Sequence, residues 1–94
     1  MKLPILILAF NRPYETLILF ELLSKIKPTK IYISQDGPRI KSKTDFDLCE
    51  KVKNIVLKPN WECKVYTKFN TTNNGCRDSV HKGINWFLEH EEQG

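Results

Sequence analysis

The sequence predicts an α/β fold: a three-layer, Rossmann-like βαβαβα unit with a parallel sheet, spanning residues 1–94 as one domain. Three observations predict it. Ile5 to Phe10 is an unbroken apolar run that stops abruptly at Asn11, Arg12 and Pro13, as a strand buried on both faces does before a helix. Segments of helical apolar spacing then alternate with short strand-like segments. Polar turn residues separate them, and such alternation implies right-handed crossovers between parallel strands.

Each element has its own local reason. Pro13 has φ preset for a first helical turn. In YETLILFELLSKIK the residues Leu17, Ile18, Phe20, Leu22, Leu23 and Ile26 form a broad apolar band, leaving Glu15, Glu21 and Lys25 to solvent. Pro28 ends that helix near Lys27, because the residue before a proline is driven out of helical geometry. KIYIS, Lys30 to Ser34, is short and β-branched and forms the second strand. It runs into Gln35, Asp36, Gly37, Pro38 and Arg39, which is turn chemistry. Ile40 to Lys43 continues as a loop, and Arg39, Lys41 and Lys43 read as its solvated basic face.

Thr44 resembles an N-cap, with Asp47 at the capping-box position. Phe46, Cys49, Val52, Ile55 and Val56 recur at helical spacing to about Leu57, and Pro59-Asn60 ends the helix. From Trp61 to Phe69 the period is two: Trp61, Cys63, Val65 and Phe69 face one way, Glu62, Lys64 and Lys68 the other. That is an edge strand with one wet face. Asn70 to Gly75 is a polar turn. Cys76, Val80, Ile84, Phe87 and Leu88 mark a third helix that includes Trp86 and ends near Gln93, with Gly94 as its cap. The first strand is too apolar for a sheet edge, so a further strand is expected after Gly94.

Composition narrows the function classes. The chain is 40% hydrophobic and 28% charged, with a net charge of +4 from basic residues scattered along its length. That favours anionic ligands but is too dispersed for a nucleic-acid footprint. The three cysteines, Cys49, Cys63 and Cys76, form no Cys-x-x-Cys pair and read as buried reduced thiols, pointing to a reducing, cytoplasmic compartment. The N-terminal apolar run is too short to span a membrane and lacks a signal-peptide cleavage site.

Chemistry-bearing residues gather where strands end, which is where open α/β sheets bind ligands. Asn11 and Arg12 sit at a helix entrance that favours anions; Asn11 reads as a helix cap or ligand contact, Arg12 as a diphosphate clamp or a surface arginine at a helix start, where the dipole disfavours its charge. Asp36, beside Gly37, reads either as an acceptor for a ligand N–H or as a turn aspartate bonding its own backbone. Asn73, Asn74, Gly75 and Arg77 form a third polar cluster, built as a left-handed turn with a cap. His81 and His90 have no partner at metal-ligand spacing, and Glu89, Glu91 and Glu92 read as a solvated helix end. No P-loop and no Gly-x-Gly-x-x-Gly follows the first strand.

Taken in order, AFNRP, SQDGPR, CEKVKNIV, NGCRDSV and INWFLEHEEQG resemble the N-terminal part of bacterial nucleotide-diphospho-sugar transferases of the GT-A fold. More distantly they are similar to eukaryotic N-acetylglucosaminyltransferases. The resemblance implies a glycosyltransferase of hexosyl or N-acetylhexosaminyl transfer that uses a nucleotide-sugar donor, usually UDP-linked. By it, Asp36 with Gly37 meets the uracil, Phe10, Asn11 and Arg12 lie against the nucleoside and diphosphate, and Asn73, Gly75 and Arg77 approach the donor. It also implies Mn²⁺ or Mg²⁺ held by residues beyond Gly94, a sugar, lipid or protein acceptor, and no transferase activity from these 94 residues alone. The competing expectation is a non-catalytic α/β interaction module that pairs through its exposed sheet edge.

Overall fold

The computed structural model describes residues 3–92, which run β1 (Ile5–Ala9), α1 (Pro13–Ile26), β2 (Lys30–Gln35), α2 (Asp45–Val56), β3 (Lys64–Phe69) and α3 (Cys76–Glu92). This is the predicted βαβαβα order. The strands make one parallel sheet, β1-β2-β3, with Ile7 beside Ile33 and Tyr32 beside Tyr66. The expected Rossmann-like half-fold is what the chain adopts.

Strand alternation assigns the two faces. Ile7, Ile31 and Ile33, with half-buried Val65 and Phe69, point toward α1 and α2 and meet Phe20, Leu23, Val52 and Val56. Trp61 closes this core; its indole N–H donates to the Pro28 carbonyl at 2.8 Å, and its ring lies 5.9 Å from Phe20. The other face is aromatic and lies under α3. Tyr32 stacks on Tyr66 at 4.7 Å and meets Trp86 and Phe87 edge-on at 5.3 and 5.0 Å. Its hydroxyl donates to Glu91, which also takes Lys30 Nζ at 3.2 Å. Burial, then the Glu91 bond, pushes the Tyr32 hydroxyl up to about 12, and that bond, with Lys30, holds the Glu91 carboxyl below its usual range. Glu91 is therefore no solvated helix end; it anchors α3 to the start of β2.

Several expectations need correction. β1 is not buried on both faces: Ile7 is, but Leu8 is 44% exposed, because no strand pairs with its outer edge among the described residues. In α1 only Thr16, Phe20 and Leu23 are buried, while Leu17, Ile18, Leu22 and Ile26 stay largely exposed, since the core lies under one stripe of the helix. Phe46 is exposed on α2. The capping box does not form; Thr44 makes no side-chain cap, and Ser42 Oγ accepts the Asp45 N–H at 3.2 Å.

On α3 the sheet-facing residues are Ser79, Gly83, Trp86 and Phe87, leaving Cys76, Ile84 and Leu88 exposed. Gly83 sets that face. A Cβ there would lie 2.8 Å from Ser34 Oγ and 2.9 Å from Leu8 Cδ2, so the helix descends where a side chain is missing. Only Cys49 is buried; Cys63 is half-buried, Cys76 is exposed, and all three are free. Gln93 and Gly94, expected at the helix end and cap, lie outside the described residues. Among the described residues no helix is long and apolar enough to cross a membrane.

Two stability outcomes follow from these contacts. Gly83→Val overfills the α3–sheet contact and lowers the unfolding free energy by about 1–3 kcal/mol, read as a lower urea midpoint. Lys27 closes α1 with φ at 55°, where a side chain is disfavoured. Lys27→Gly relieves that and raises stability by about 1 kcal/mol, read as a higher melting temperature.

Candidate functional site

β1 and β2 end side by side, Ala9 next to Gln35, and the ladder continues into the loops. The Asp36 N–H donates to the Ala9 carbonyl at 2.9 Å, and the Asn70 N–H donates to the Gln35 carbonyl at 2.9 Å. Three loops therefore leave the sheet at one end: residues 10–12, 36–44 and 70–75. Gln35 ties the first to α2, its amide nitrogen donating to the Phe10 carbonyl at 3.0 Å and the Cys49 carbonyl at 2.9 Å.

Asp36 is 5% exposed and gathers donors from the third loop. Oδ1 accepts the Gly37 N–H at 2.9 Å, the Asn74 N–H at 2.9 Å and Asn70 Nδ2 at 3.3 Å; Oδ2 accepts Asn73 Nδ2 at 3.1 Å. The turn-aspartate bond forms, and the same carboxylate also fastens residues 70–74. Gly37 allows this approach, because a Cβ there would lie 2.6 Å from the Thr72 backbone. Gly75 takes the expected left-handed conformation, φ +86°, and its N–H donates to Asn73 Oδ1 at 3.1 Å. Asn73 thus serves both loops at once.

A second buried carboxylate, Asp45, organises the other side. Its side chain is 1% exposed, and it accepts Arg39 Nε at 2.6 Å, Arg39 Nη2 at 3.0 Å, the Arg39 N–H at 3.1 Å and Asn11 Nδ2 at 3.0 Å. The bidentate Arg39 holds the Asp45 carboxyl well below the usual carboxylate range, against the opposing effect of burial. Two readings are corrected here. Asn11 does not cap α1; Arg12 occupies that position without a side-chain cap, and Asn11 binds Asp45 instead. Arg39 is exposed, as expected of the basic loop, but it is not unpaired, because the Asp45 ion pair fixes its guanidinium.

Above these loops a cavity of about 560 Å³ opens between α1 and α3, along β1. Phe10, Arg12, Asp36, Arg39 and Asn73 share its polar end, and Ile7, Leu8, Leu19 and Val80 line an apolar stretch. The Arg12 side chain is exposed and makes a loose ion pair with Glu15 at 3.9 Å. The Arg39 guanidinium lies 5.7 Å from the Phe10 ring centre. Ser34, also in the wall, is buried with no hydrogen-bond partner for its hydroxyl among the described residues. Asn11, Gly37 and Gly75 stand behind the wall and shape it. Of the residues expected of the third loop, Asn73 lines the cavity, Gly75 shapes the turn behind it, and Arg77 is exposed on the first turn of α3 outside the lining.

Two guanidinium groups at one end, with an apolar bed beyond, suit an anionic ligand that carries a flat or apolar body. Among the described residues no group of three or more His, Cys, Asp or Glu side chains could hold a metal ion. No family model, no curated protein and no solved structure matches the chain.

The Asp45 ion pair has a defined pH signature. Because the folded carboxyl lies below its ordinary 3.8, the pair's stabilisation is complete above about pH 5 and is lost as pH falls through and below that value. Arg39→Gln leaves the carboxylate buried with a weaker partner. It lowers the urea midpoint at pH 7 and flattens the midpoint's decline below about pH 5 relative to wild type.

Proposed function

We propose that the chain is the donor-nucleotide-binding part of a glycosyltransferase, taking a nucleoside-diphospho-sugar, UDP-linked, at the strand tips. The observation that carries the reading is that Arg12 and Asp36, from two different strand ends, border one cavity of nucleotide size. The ordered motifs AFNRP, SQDGPR and NGCRDSV lend it support, since they bear the residues around that cavity.

In this reading the roles divide by charge. Asp36 Oδ1 is filled by three donors, but Oδ2 has one and keeps an acceptor position for a pyrimidine imide N–H. Arg12 and Arg39 meet the diphosphate. Arg39 does so without leaving Asp45, because its remaining N–H donors are unspent. Phe10 supplies a ring for the nucleoside to lie against. Sugar transfer to an acceptor is the activity proposed for the enzyme to which this unit belongs; the chain itself supplies donor recognition.

Calorimetry with UDP tests the reading. Wild type binds UDP, and CDP more weakly, because cytosine offers no imide N–H to Asp36. Arg12→Ala weakens UDP binding about tenfold, the worth of one charged hydrogen bond, with an unchanged circular dichroism spectrum. Absence of UDP binding by wild type, or equal affinity in the variant, counts against the proposal.

A further inference from the structure

Two buried side-chain atoms among the described residues have no hydrogen-bond partner, Ser34 Oγ and Gln35 Oε1, and of these two residues only Ser34 lines the cavity. The neighbours of Ser34 leave it unpaired. In register it lies between Leu8, which is apolar, and Lys68, whose Nζ donates to Asn70 Oδ1 at 3.0 Å. Over it stands Gly83, which has no side chain to offer; a Cβ there would lie 2.8 Å from Ser34 Oγ. Ser34 is 1% exposed, so bulk water does not serve its hydroxyl either. A buried donor without an acceptor lowers stability, and the fold by itself gains nothing from this one.

Position relates this hydroxyl to Asp36. The Asp36 N–H extends the sheet ladder to the Ala9 carbonyl, so side-chain alternation carries one residue past β2. Gln35 turns toward α2, where it meets the Cys49 carbonyl, and Ser34 and Asp36 share the opposite, α3-facing side. Two residues of strand set them about 6–7 Å apart. Asp36 accepts hydrogen bonds and Ser34 can donate one. The ligand edge that answers both is an N–H with a carbonyl beside it. Two hydrogen bonds of about 2.8 Å, joined by the short edge between those groups, bridge the distance.

We propose that Ser34 is a specificity-determining contact of the cavity, its hydroxyl donating to a ring carbonyl adjacent to the N–H that Asp36 accepts. The proposal rests on the donor-nucleotide reading, and under it the carbonyl is that at C4 of uracil. The C2 carbonyl lies next to the ribose, which the diphosphate draws toward Arg12. The C4 carbonyl is on the far side of the ring and points inward, beside Leu8 and Val80.

Calorimetry and urea unfolding of Ser34→Ala test this, with UDP and 4-thio-UDP as ligands. The thio analogue keeps the imide N–H and replaces the C4 oxygen with a poorer acceptor. Wild type binds UDP about fivefold more tightly than 4-thio-UDP, the worth of one neutral hydrogen bond. Ser34→Ala binds UDP about fivefold more weakly than wild type and no longer distinguishes the two ligands. Its urea midpoint without ligand stays at or above that of wild type, because an unpaired hydroxyl has been removed. Equal UDP affinity in Ser34→Ala overturns the proposal, as does a preference for UDP that survives the substitution. So does a lowered midpoint without ligand, which would show the hydroxyl serving the fold through a buried water. Failure of wild type to bind UDP removes the donor reading itself, whereas unchanged UDP binding by Ser34→Ala removes only this contact.

Discussion

Two buried carboxylates, Asp36 and Asp45, hold the working end of this molecule together. A buried carboxylate must be met by donors, since an unpaired one costs several kcal/mol. Here the donors come from segments far apart in sequence: Asn70, Asn73 and Asn74 for Asp36, Asn11 and Arg39 for Asp45. Each requirement therefore draws a distant loop inward. The first strand tip, the loop after β2 and the loop after β3 have fixed relative positions because two charges need to be satisfied.

The sheet beneath them is divided along the same lines. One face is a conventional aliphatic core under α1 and α2, which gives most of the hydrophobic driving force. The other face mixes stacked aromatics with Glu91, Lys30 and Ser34, and α3 sits on it at a glycine. That second face carries α3 in a set orientation. Its helix start then stands over the Asp36 loop, where the Ser79 N–H donates to the Gly75 carbonyl at 2.9 Å to open the helix. Packing on the aromatic face thus places one wall of the cavity.

The strands, the helices and their order were legible in the sequence, because apolar period and turn chemistry are local signals. Asp36 was legible as a strand-tip residue, and Gly75 as a left-handed turn, for the same reason. What escaped was long-range pairing. Arg39 and Asp45 stand six residues apart, a spacing with no meaning on a helix or strand, and Asn11 reaches Asp45 across 34 residues. Glu91 looked like one of three solvated acids, since nothing near it in sequence announces Tyr32 or Lys30. Helix faces were misplaced where tertiary contact overruled periodicity: Phe46, Ile84 and Leu88 keep helical spacing yet lie outside, and Gly83, silent in a hydrophobicity pattern, chose the contact face of α3.

The cavity and the free side of β1 share one origin. β2 lies in the middle of the three-stranded sheet, so β1 has a neighbour on one side only among the described residues. A groove runs along it, bounded by Leu19 of α1, Val80 of α3 and the strand-tip loops. The cavity is therefore open along β1, and Asp36 and Asp45 decide where its polar end lies.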